Sequence, residues 1–426
     1  MPTVNRPERL KLEGVLAYAH EKRGERWEIE LVTDDLGGER DGNNADGIIA
    51  YINSPEERQR LIRLGKPLVL IEDALAPDPD AADYRNLIAV ENAVTLLCDH
   101  EAEGRAAADY FLARHFTSFA FIGVCPPKTG VCPPSNGVCP RKTGVCPQWC
   151  EARFNGFRSR LGIRAEAEWP MQPKADPKPL GTDPKSEGTG PQKMGTGPNL
   201  RLIFSENHEE ICSFLRCLTK PTAVFCAHDI MARKVLSAAN DLNIAVPQEL
   251  AILGVDNDEV FCTTVSPALS SIPTRDHELG YDAGRILEEL LTGRSQGGRI
   301  IRFRNTRIIS RRSTDADVLS DPFVARALTY ARHHLADKLD LPTIARHVGY
   351  SSRMLQIRAE RTLGHPIPEE IRHIRLAAAL ELIRETDEPI ALIAAECGFT
   401  STSHMSQRVK EATGLTPLVL RRRLPR

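Results

Sequence analysis

Residues 390–423 read IALIAAECGFTSTSHMSQRVKEATGLTPLVLRRR, and residues 341–363 repeat the same design as LPTIARHVGYSSRMLQIRAERTL. In each copy a short apolar-periodic helix, opening at Leu341 or Ile390, runs into a glycine turn, Gly349-Tyr350-Ser351 or Gly398-Phe399-Thr400. A second helix follows, over Ser352–Leu363 or Thr402–Thr413. Glycine supplies the backbone conformation that so sharp a turn requires, and Ser351 or Ser401 can cap the helix after it. One helix-turn-helix is weak evidence, since small helical domains use such turns for packing alone. Two copies joined by a long amphipathic helix, at 368–384, are far more specific.

Working outward, everything from Pro322 onward reads as helix, with segments near 322–336, 341–348, 352–363, 367–385, 389–396, 402–412 and 416–422. Upstream the pattern changes. Short apolar runs rich in Val and Ile, as buried parallel strands should be, lie at 28–32, 47–52, 67–71, 86–90, 119–124, 222–226 and 250–255. Helical patterns fall between them, including 100–115, 230–242 and 279–291. Alternating βα units predict open parallel sheets with helices on both faces, and this many units suit two sheets better than one. A last strand-like run at 300–309 and the basic pair Arg311-Arg312 mark the boundary. The expected organisation is an α/β two-lobed domain over 1–312 and an all-α domain over 313–426.

The chain has 426 residues, 41% apolar and 26% charged, which is ordinary globular composition for two or three domains. No stretch reaches the length of apolar residues that a membrane helix needs, and the first twelve residues hold no apolar core of a secretory leader. The expectation is a cytoplasmic protein with no membrane partner. A net charge of −2 hides an asymmetry. Residues 321–426 hold 16 Lys+Arg against 12 Asp+Glu, a net +4, so the rest carries −6. A basic tail on a mildly acidic body suggests a partner that only the tail touches.

Two stretches interrupt the α/β pattern. After Gly123-Val124 the chain runs through GVCP units every seven residues, placing Cys125, Cys132, Cys139 and Cys146 at even spacing. Residues 170–199 carry a second seven-residue repeat of Gly-Thr units rich in Pro and Lys. Proline in each unit opposes helix and ladder alike, so both read as irregular surface insertions at about 125–148 and 170–199. Zinc sites pair ligands two to four residues apart, whereas six residues separate these cysteines. A tolerated insertion therefore outweighs a metal site, and neither metal nor cofactor is expected. The remaining cysteines are scattered, as in a reduced protein.

The run from Ile393 to Arg423 resembles the signature of AraC/XylS-type transcription regulators, a likeness that covers roughly the last hundred residues. That resemblance implies that each second helix enters the major groove. Carried over position by position, it assigns base reading to Arg353, Gln356 and Ile357 in the first copy. In the second it assigns Thr402, Ser403, Ser406 and Gln407. Arg and Gln can pair bidentately with guanine and adenine edges, while Ser and Thr read more weakly. Leu355 and Met405 fall at core spacing. Ala359 and Val409 stand where the family places larger side chains, which predicts thinner packing behind the reading helices.

The body resembles a periplasmic-binding-protein-like effector domain of the LacI/GalR type. The likeness runs through Val246-Pro-Gln-Glu-Leu-Ala-Ile-Leu-Gly-Val-Asp-Asn257, Ala227-His-Asp-Ile-Met-Ala-Arg233 and Ile309-Ser-Arg-Arg-Ser-Thr314. It implies two lobes closing over a ligand at the carboxyl ends of the strands. Asp99, Asp229, Asp256 and Asn257 all follow strand candidates. Arg153, in the segment from Trp149 to Phe157, resembles the family's ligand-contacting arginine. Carboxylates and a guanidinium suit neighbouring sugar hydroxyls, and Trp149 can stack on a sugar ring. Such domains open with a strand before the first helix. Here only residues 1–5 precede a helix at 9–23, so either the start lies upstream or the first lobe lacks that strand.

The reading is a sequence-specific DNA-binding transcription regulator controlled by a small ligand, a sugar such as a pentose. Its partners would be double-stranded operator DNA, the sugar effector, a second copy of the chain in a homodimer, and RNA polymerase. No catalytic role is expected, because no nucleophile–base pair or phosphate loop is present. A sugar-binding module with a weakened or vestigial DNA-binding tail is the alternative. A sugar-processing enzyme would need paired carboxylates acting on one bond.

Overall fold

The computed structural model describes residues 6–21, 27–30, 44–52, 55–72, 92–124, 147–163, 199–319, 321–337 and 339–423. The strand expected at 86–90, residues 125–146 and 170–198 of the two expected insertions, and residues 31–32 lie outside that set, while residue 148 already opens a helix. Residues 27–30 are described and carry no strand.

In chain order the body begins with α1 (Arg6–Glu21), β1 (Ile48–Tyr51), α2 (Pro55–Arg63), β2 (Leu68–Glu72), β3 (Ala93–Cys98), α3 (His100–Leu112) and β4 (Ser118–Gly123). It continues with α4 (Gln148–Arg160), β5 (Asn199–Phe204), α5 (His208–Arg216), β6 (Thr222–Cys226), α6 (Asp229–Asp241) and β7 (Leu250–Asp256). Then come α7 (Glu259–Thr263), β8 (Ser270–Pro273), α8 (Asp276–Leu291) and β9 (Arg299–Phe303). The strands form two all-parallel sheets, ordered β1-β2-β3-β9 and β5-β4-β6-β7-β8. Strands such as Thr222–Cys226 are buried throughout because helices cover both faces. The larger lobe packs on an aromatic cluster of Phe111, Phe119, Phe121, Phe154, Phe157 and Phe225. Each such ring contributes roughly 1.5–3 kcal/mol by leaving water.

Sheet membership shows where the chain changes lobes. β3 lies in the four-stranded sheet, but α3 after it packs on the larger lobe. β8 lies in the five-stranded sheet, and α8 returns to the smaller lobe. After β9 the chain crosses again, and Ile309 bridges antiparallel to Ser271. These crossings follow the carboxyl ends of β3, β8 and β9, so they flank the space between the lobes. Two contacts tie them together: Arg304 Nε donates to Asp99 Oδ2 at 2.7 Å, and Asn305 Nδ2 donates to the Pro273 carbonyl.

Each lobe also holds one helix pair in backbone contact. A Cβ on Gly104 of α3 would fall 2.0 Å from the Arg153 carbonyl oxygen of α4, and one on Gly156 would fall 2.0 Å from that of Glu101. The same holds for α1 and α8, where a Cβ on Gly280 would lie 1.8 Å from the Lys11 carbonyl oxygen. Only glycine permits so close an approach. In both pairs the contact brings a buried cation to a buried carboxylate: Arg153 to Glu103, and Lys11 to Asp276.

The chain stays on the larger lobe through Val318, whose N–H donates to the Arg114 carbonyl at 2.9 Å. The helical domain follows: α9 (Pro322–His333), α10 (Leu341–Val348), α11 (Ser352–Leu363), α12 (Ile367–Glu385), α13 (Ile390–Glu396), α14 (Thr402–Thr413) and α15 (Pro417–Arg423). Gly349 and Gly398 take φ of 82° and 70°, the left-handed backbone that both turns require. Ser351 Oγ caps α11 by accepting from Met354 N, and Ser401 Oγ caps α14 by accepting from His404 N.

Candidate ligand cleft and nucleic-acid interface

Arg153 is the central group between the lobes. Its Nε donates to Glu103 Oε2 at 2.6 Å and its Nη1 to the Ala227 carbonyl at 2.6 Å, leaving the guanidinium held on two sides. Nη2 faces Asp256 Oδ1 across 3.9 Å, too far for a direct hydrogen bond. Trp149, half-buried, lies beneath the guanidinium with its ring centroid 4.9 Å from the central carbon. His100 Nδ1 contacts the same Glu103 oxygen at 3.0 Å. Burial alone would raise the Glu103 carboxyl, but Arg153 and His100 hold it down at about 2. Arg153 in turn is raised despite its burial, chiefly by the charge of Glu103.

Asp256 has the opposite balance. Desolvation pushes its carboxyl up to about 8; Arg153 opposes that rise, while Asp229, Asp276 and Glu103 add to it. Solvent still reaches 20% of the side chain, so this carboxyl group is partly open and not sealed in a core. Its backbone φ of 102° is unusual for a residue with a side chain and aims it off the end of β7.

Three other carboxylate and amide candidates are occupied internally. Asp229 is 1% exposed, and its Oδ1 accepts from Ser271 Oγ at 2.6 Å while its Oδ2 accepts from Asp258 N at 2.8 Å. The structure thus gives Asp229 a supporting role, tying α6 to the β7–α7 turn. Asp99 caps α3, accepts from Arg304 and faces Arg105, which makes it part of the crossing between lobes. Asn257 Oδ1 accepts from Arg311 Nη2 at 2.8 Å.

Two residues missing from the sequence reading face the same space. His228 Nδ1 accepts from Met231 N at 3.0 Å as the cap of α6, which leaves its proton on Nε2. Burial, helped by the charge of Arg153, pushes it down to about 4, so the ring is a neutral donor. Its ring centroid lies 5.9 Å from that of Trp149. Its signal was the Ala227-His-Asp229 segment, read only for the aspartate. From the other lobe comes Asp276, 3.1 Å from Lys11 through Oδ1, with its buried Oδ2 making no hydrogen bond. Nothing local marks Asp276, because Lys11 is 265 positions away.

On the helical domain, Arg353, Ile357, Thr402, Ser403 and Gln407 are exposed, and Gln356 and Ser406 half-exposed. Gln356 donates to Glu360 at 2.8 Å and Gln407 to Glu411 at 3.0 Å, the same i,i+4 pair on each reading helix. Leu355, Ala359, Met405 and Val409 are fully buried against the preceding helices. The smaller Ala359 and Val409 are therefore enclosed by their surroundings. α12 has 19 residues and spans about 28 Å, near the length of one DNA turn.

Residues 108–314 match the periplasmic binding protein-like domain, and residues 344–423 match the helix-turn-helix domain. The chain is 29% identical over 212 residues to the xylose operon regulatory protein of Haemophilus influenzae, covering 50% of this chain and 55% of that protein. It is 30% identical over 207 residues to the protein of the same name from Escherichia coli K12, covering 49% and 53%. The chain thus spans about half the length of the curated relatives it matches. The solved structure of a xylose-binding transcription activator aligns over 99% of this chain and 96% of its own, with a TM-score of 0.52 at 22% identity. That is a likeness of fold.

Proposed function

Joining a periplasmic binding protein-like domain to a helix-turn-helix domain, this chain is, we propose, a DNA-binding transcription regulator whose activity is set by a sugar held between its lobes. A pentose is the favoured ligand, because the relatives at 29% and 30% identity are named for the xylose operon. The observation that carries the reading is the 3.9 Å gap between Arg153 Nη2 and Asp256 Oδ1, inside a cleft joined to a domain with two reading helices. A hydroxyl can bridge that gap by accepting from the guanidinium and donating to an oxygen of the Asp256 carboxyl. His228 Nε2–H and Asp276 Oδ2 supply a further donor and acceptor, and Trp149 an apolar ring face.

Closure of the lobes would act at the crossings held by Asp99–Arg304 and Asn305–Pro273, and through contacts that reach the helical domain. Arg332 of α9 pairs with Asp317 at 3.1 Å and donates to the Ala113 carbonyl, and the Ile308 N–H donates to Glu381 of α12. A change in the lobes would therefore reach α9 and α12, which pack against α11 and α14.

The reading is of a cleft that binds and does not transform: Asp229 is held by Ser271 and Asp258, and Asp256 and Asp276 are left to hold hydroxyls. The homologues are regulators, and no helix among the described residues is long and apolar enough to cross a membrane. A cytoplasmic homodimer on operator DNA, in contact with RNA polymerase, fits this reading. The vestigial-tail alternative has no support from the buried Ala359 and Val409 or the exposed reading faces.

A thermal-shift screen of xylose, arabinose, ribose, glucose and purines tests the ligand, because a specific ligand raises stability by mass action. One pentose should shift the melting temperature and change operator affinity, and the sugar should be recovered intact. No shift with any sugar, or turnover of one, would overturn the proposal.

A further inference from the structure

The interface between the larger lobe and the helical domain carries a cluster that the regulatory reading does not use. His365, in the turn before α12, places Nε2 3.3 Å from Glu370 Oε2. His373, one turn further along α12, places Nδ1 3.6 Å from the same oxygen. One donor atom from each of His365, Glu370 and His373 lies within 4.8 Å of the other two. From the effector domain, His115 in the α3–β4 turn brings Nε2 to 4.0 Å from Glu370 Oε1, and that nitrogen is buried without a hydrogen-bond partner. The expectation of no metal rests on cysteine spacing, and none of these four residues is a cysteine.

We propose that His365, Glu370, His373 and His115 form a site for a divalent transition metal of the zinc class, which clamps the DNA-binding domain to the effector domain. Imidazole and carboxylate together suit Zn²⁺, with Ni²⁺ and Cu²⁺ as competitors. Metal–nitrogen bonds of about 2.1 Å in a tetrahedron separate neighbouring ligand atoms by about 3.4 Å. The separations of 3.3 and 3.6 Å to Glu370 Oε2 match that value, and His115 Nε2 stands outside this trio, 4.0 Å from the other carboxylate oxygen, Oε1, so it would have to move in to complete the shell. Glu370 and His373 share a helix face at i,i+3, and His365 joins them because α12 begins two residues after it. His115 is the only ligand from outside the helical domain, so it alone makes the metal a bridge. This site stands whether or not the cleft takes a sugar.

The test uses full-length protein stripped with a chelator and titrated with Co²⁺, followed by Zn²⁺ competition. One equivalent should bind with a nitrogen–oxygen spectrum free of thiolate charge transfer, which separates it from any cobalt held by cysteines. His365→Ala with His373→Ala should lose that equivalent while melting, metal-free, at the wild-type temperature. His115→Asn keeps the left-handed backbone of that turn, at φ 64°, since asparagine also tolerates it. It should weaken binding roughly 10-fold or more and abolish any effect of the metal on operator affinity. Wild-type binding by the double variant, or only thiolate-bound cobalt, would overturn the site. Wild-type affinity in His115→Asn would overturn the clamp.

Discussion

In the cleft, Arg153 already donates to Glu103 and to a main-chain carbonyl before any ligand arrives, whereas Arg353 on α11 stands exposed in solvent. On the proposed reading the two arginines serve opposite tasks. A sugar is neutral and small, so its site must be held in place and largely dried in advance, with one or two bonding positions left open. DNA is a polyanion that releases counterions on binding, so its reader can remain hydrated until contact. The cost of a buried charge falls on the first region only. Substitutions there should damage folding and ligand response together, while substitutions on the reading helices should spare folding.

The largest effect is expected from Arg153→Ala. It leaves Glu103 buried with His100 as its remaining close side-chain partner, which costs on the order of 3–5 kcal/mol of stability. Urea unfolding should show that loss, and the thermal shift with sugar should vanish. Replacing both partners, Arg153→Met with Glu103→Leu, should recover most of the stability and none of the response. A loss below about 1 kcal/mol in the single variant would mean that the pair is better solvated than its burial implies.

Asp256 should come next, through pH. Its carboxyl holds a proton to about 8 in the folded chain, against an ordinary value of 3.8. The folded state therefore binds more protons between those limits, and stability falls as pH rises through them. Asp229, pushed up to about 6 by burial, adds the same sign over a narrower window. Glu103 has the reverse sign, because its contribution is lost as pH falls toward about 2. Asp256→Asn should remove a decline of roughly 3 kcal/mol between about pH 4 and 8, about half the unscreened linkage value because water reaches a fifth of the side chain, measured as wild type minus variant. A flat difference would show that Asp256 titrates as in water.

How far the two regions could be read from sequence differs for the same physical reason. Helix-turn-helix boundaries depend on neighbours: Gly349, Ser351, Gly398 and Ser401 sit beside the helices they shape, and α10, α11 and α12 fall where periodicity puts them. The cleft depends on partners far away. Asp229, Asp99 and Asn257 all follow strands as expected, but Ser271, Arg304 and Arg311 decide that they bond internally. Among the strands, Thr222–Cys226 is legible because Ala223 to Cys226 form an unbroken apolar run. β8 is not, since Ser270 and Ser271 are fully buried yet polar, satisfied by Ser313, Thr314 and Asp229. β3 lies at Ala93–Cys98, one of two adjacent apolar runs that local composition cannot rank.

On the reading side, Arg353→Ala should cost about 1–3 kcal/mol of operator affinity and relax base preference in one segment of each half-site. Gln407→Ala should act on the other segment, about one helical turn away, because α12 separates the two helices. Its effect should be smaller, since Gln407 gives up the bond to Glu411 before it can reach a base. Neither should change the melting temperature or the sugar response. Footprinting against randomised half-sites reads both outcomes, and relaxation of the same base positions by both variants would refute the two-segment geometry.

The smallest effect is expected from Ile357→Ala. Ile357 is 42% exposed on the face that carries Arg353, an apolar side chain with no packing role. Against a thymine methyl it would gain dispersion and exclude water, without a hydrogen bond to enforce orientation. Its removal should therefore cost under about 1 kcal/mol, confined to one A·T position. Replacing that thymine by uracil tests the contact from the DNA side. If the methyl is what Ile357 touches, the wild type should lose affinity on uracil and the Ile357→Ala variant should lose no more. Additive losses would place Ile357 away from the groove floor. The first reading helix would then rest on Arg353 and Gln356 alone, and the asymmetry between the two copies would be larger than their shared backbone suggests.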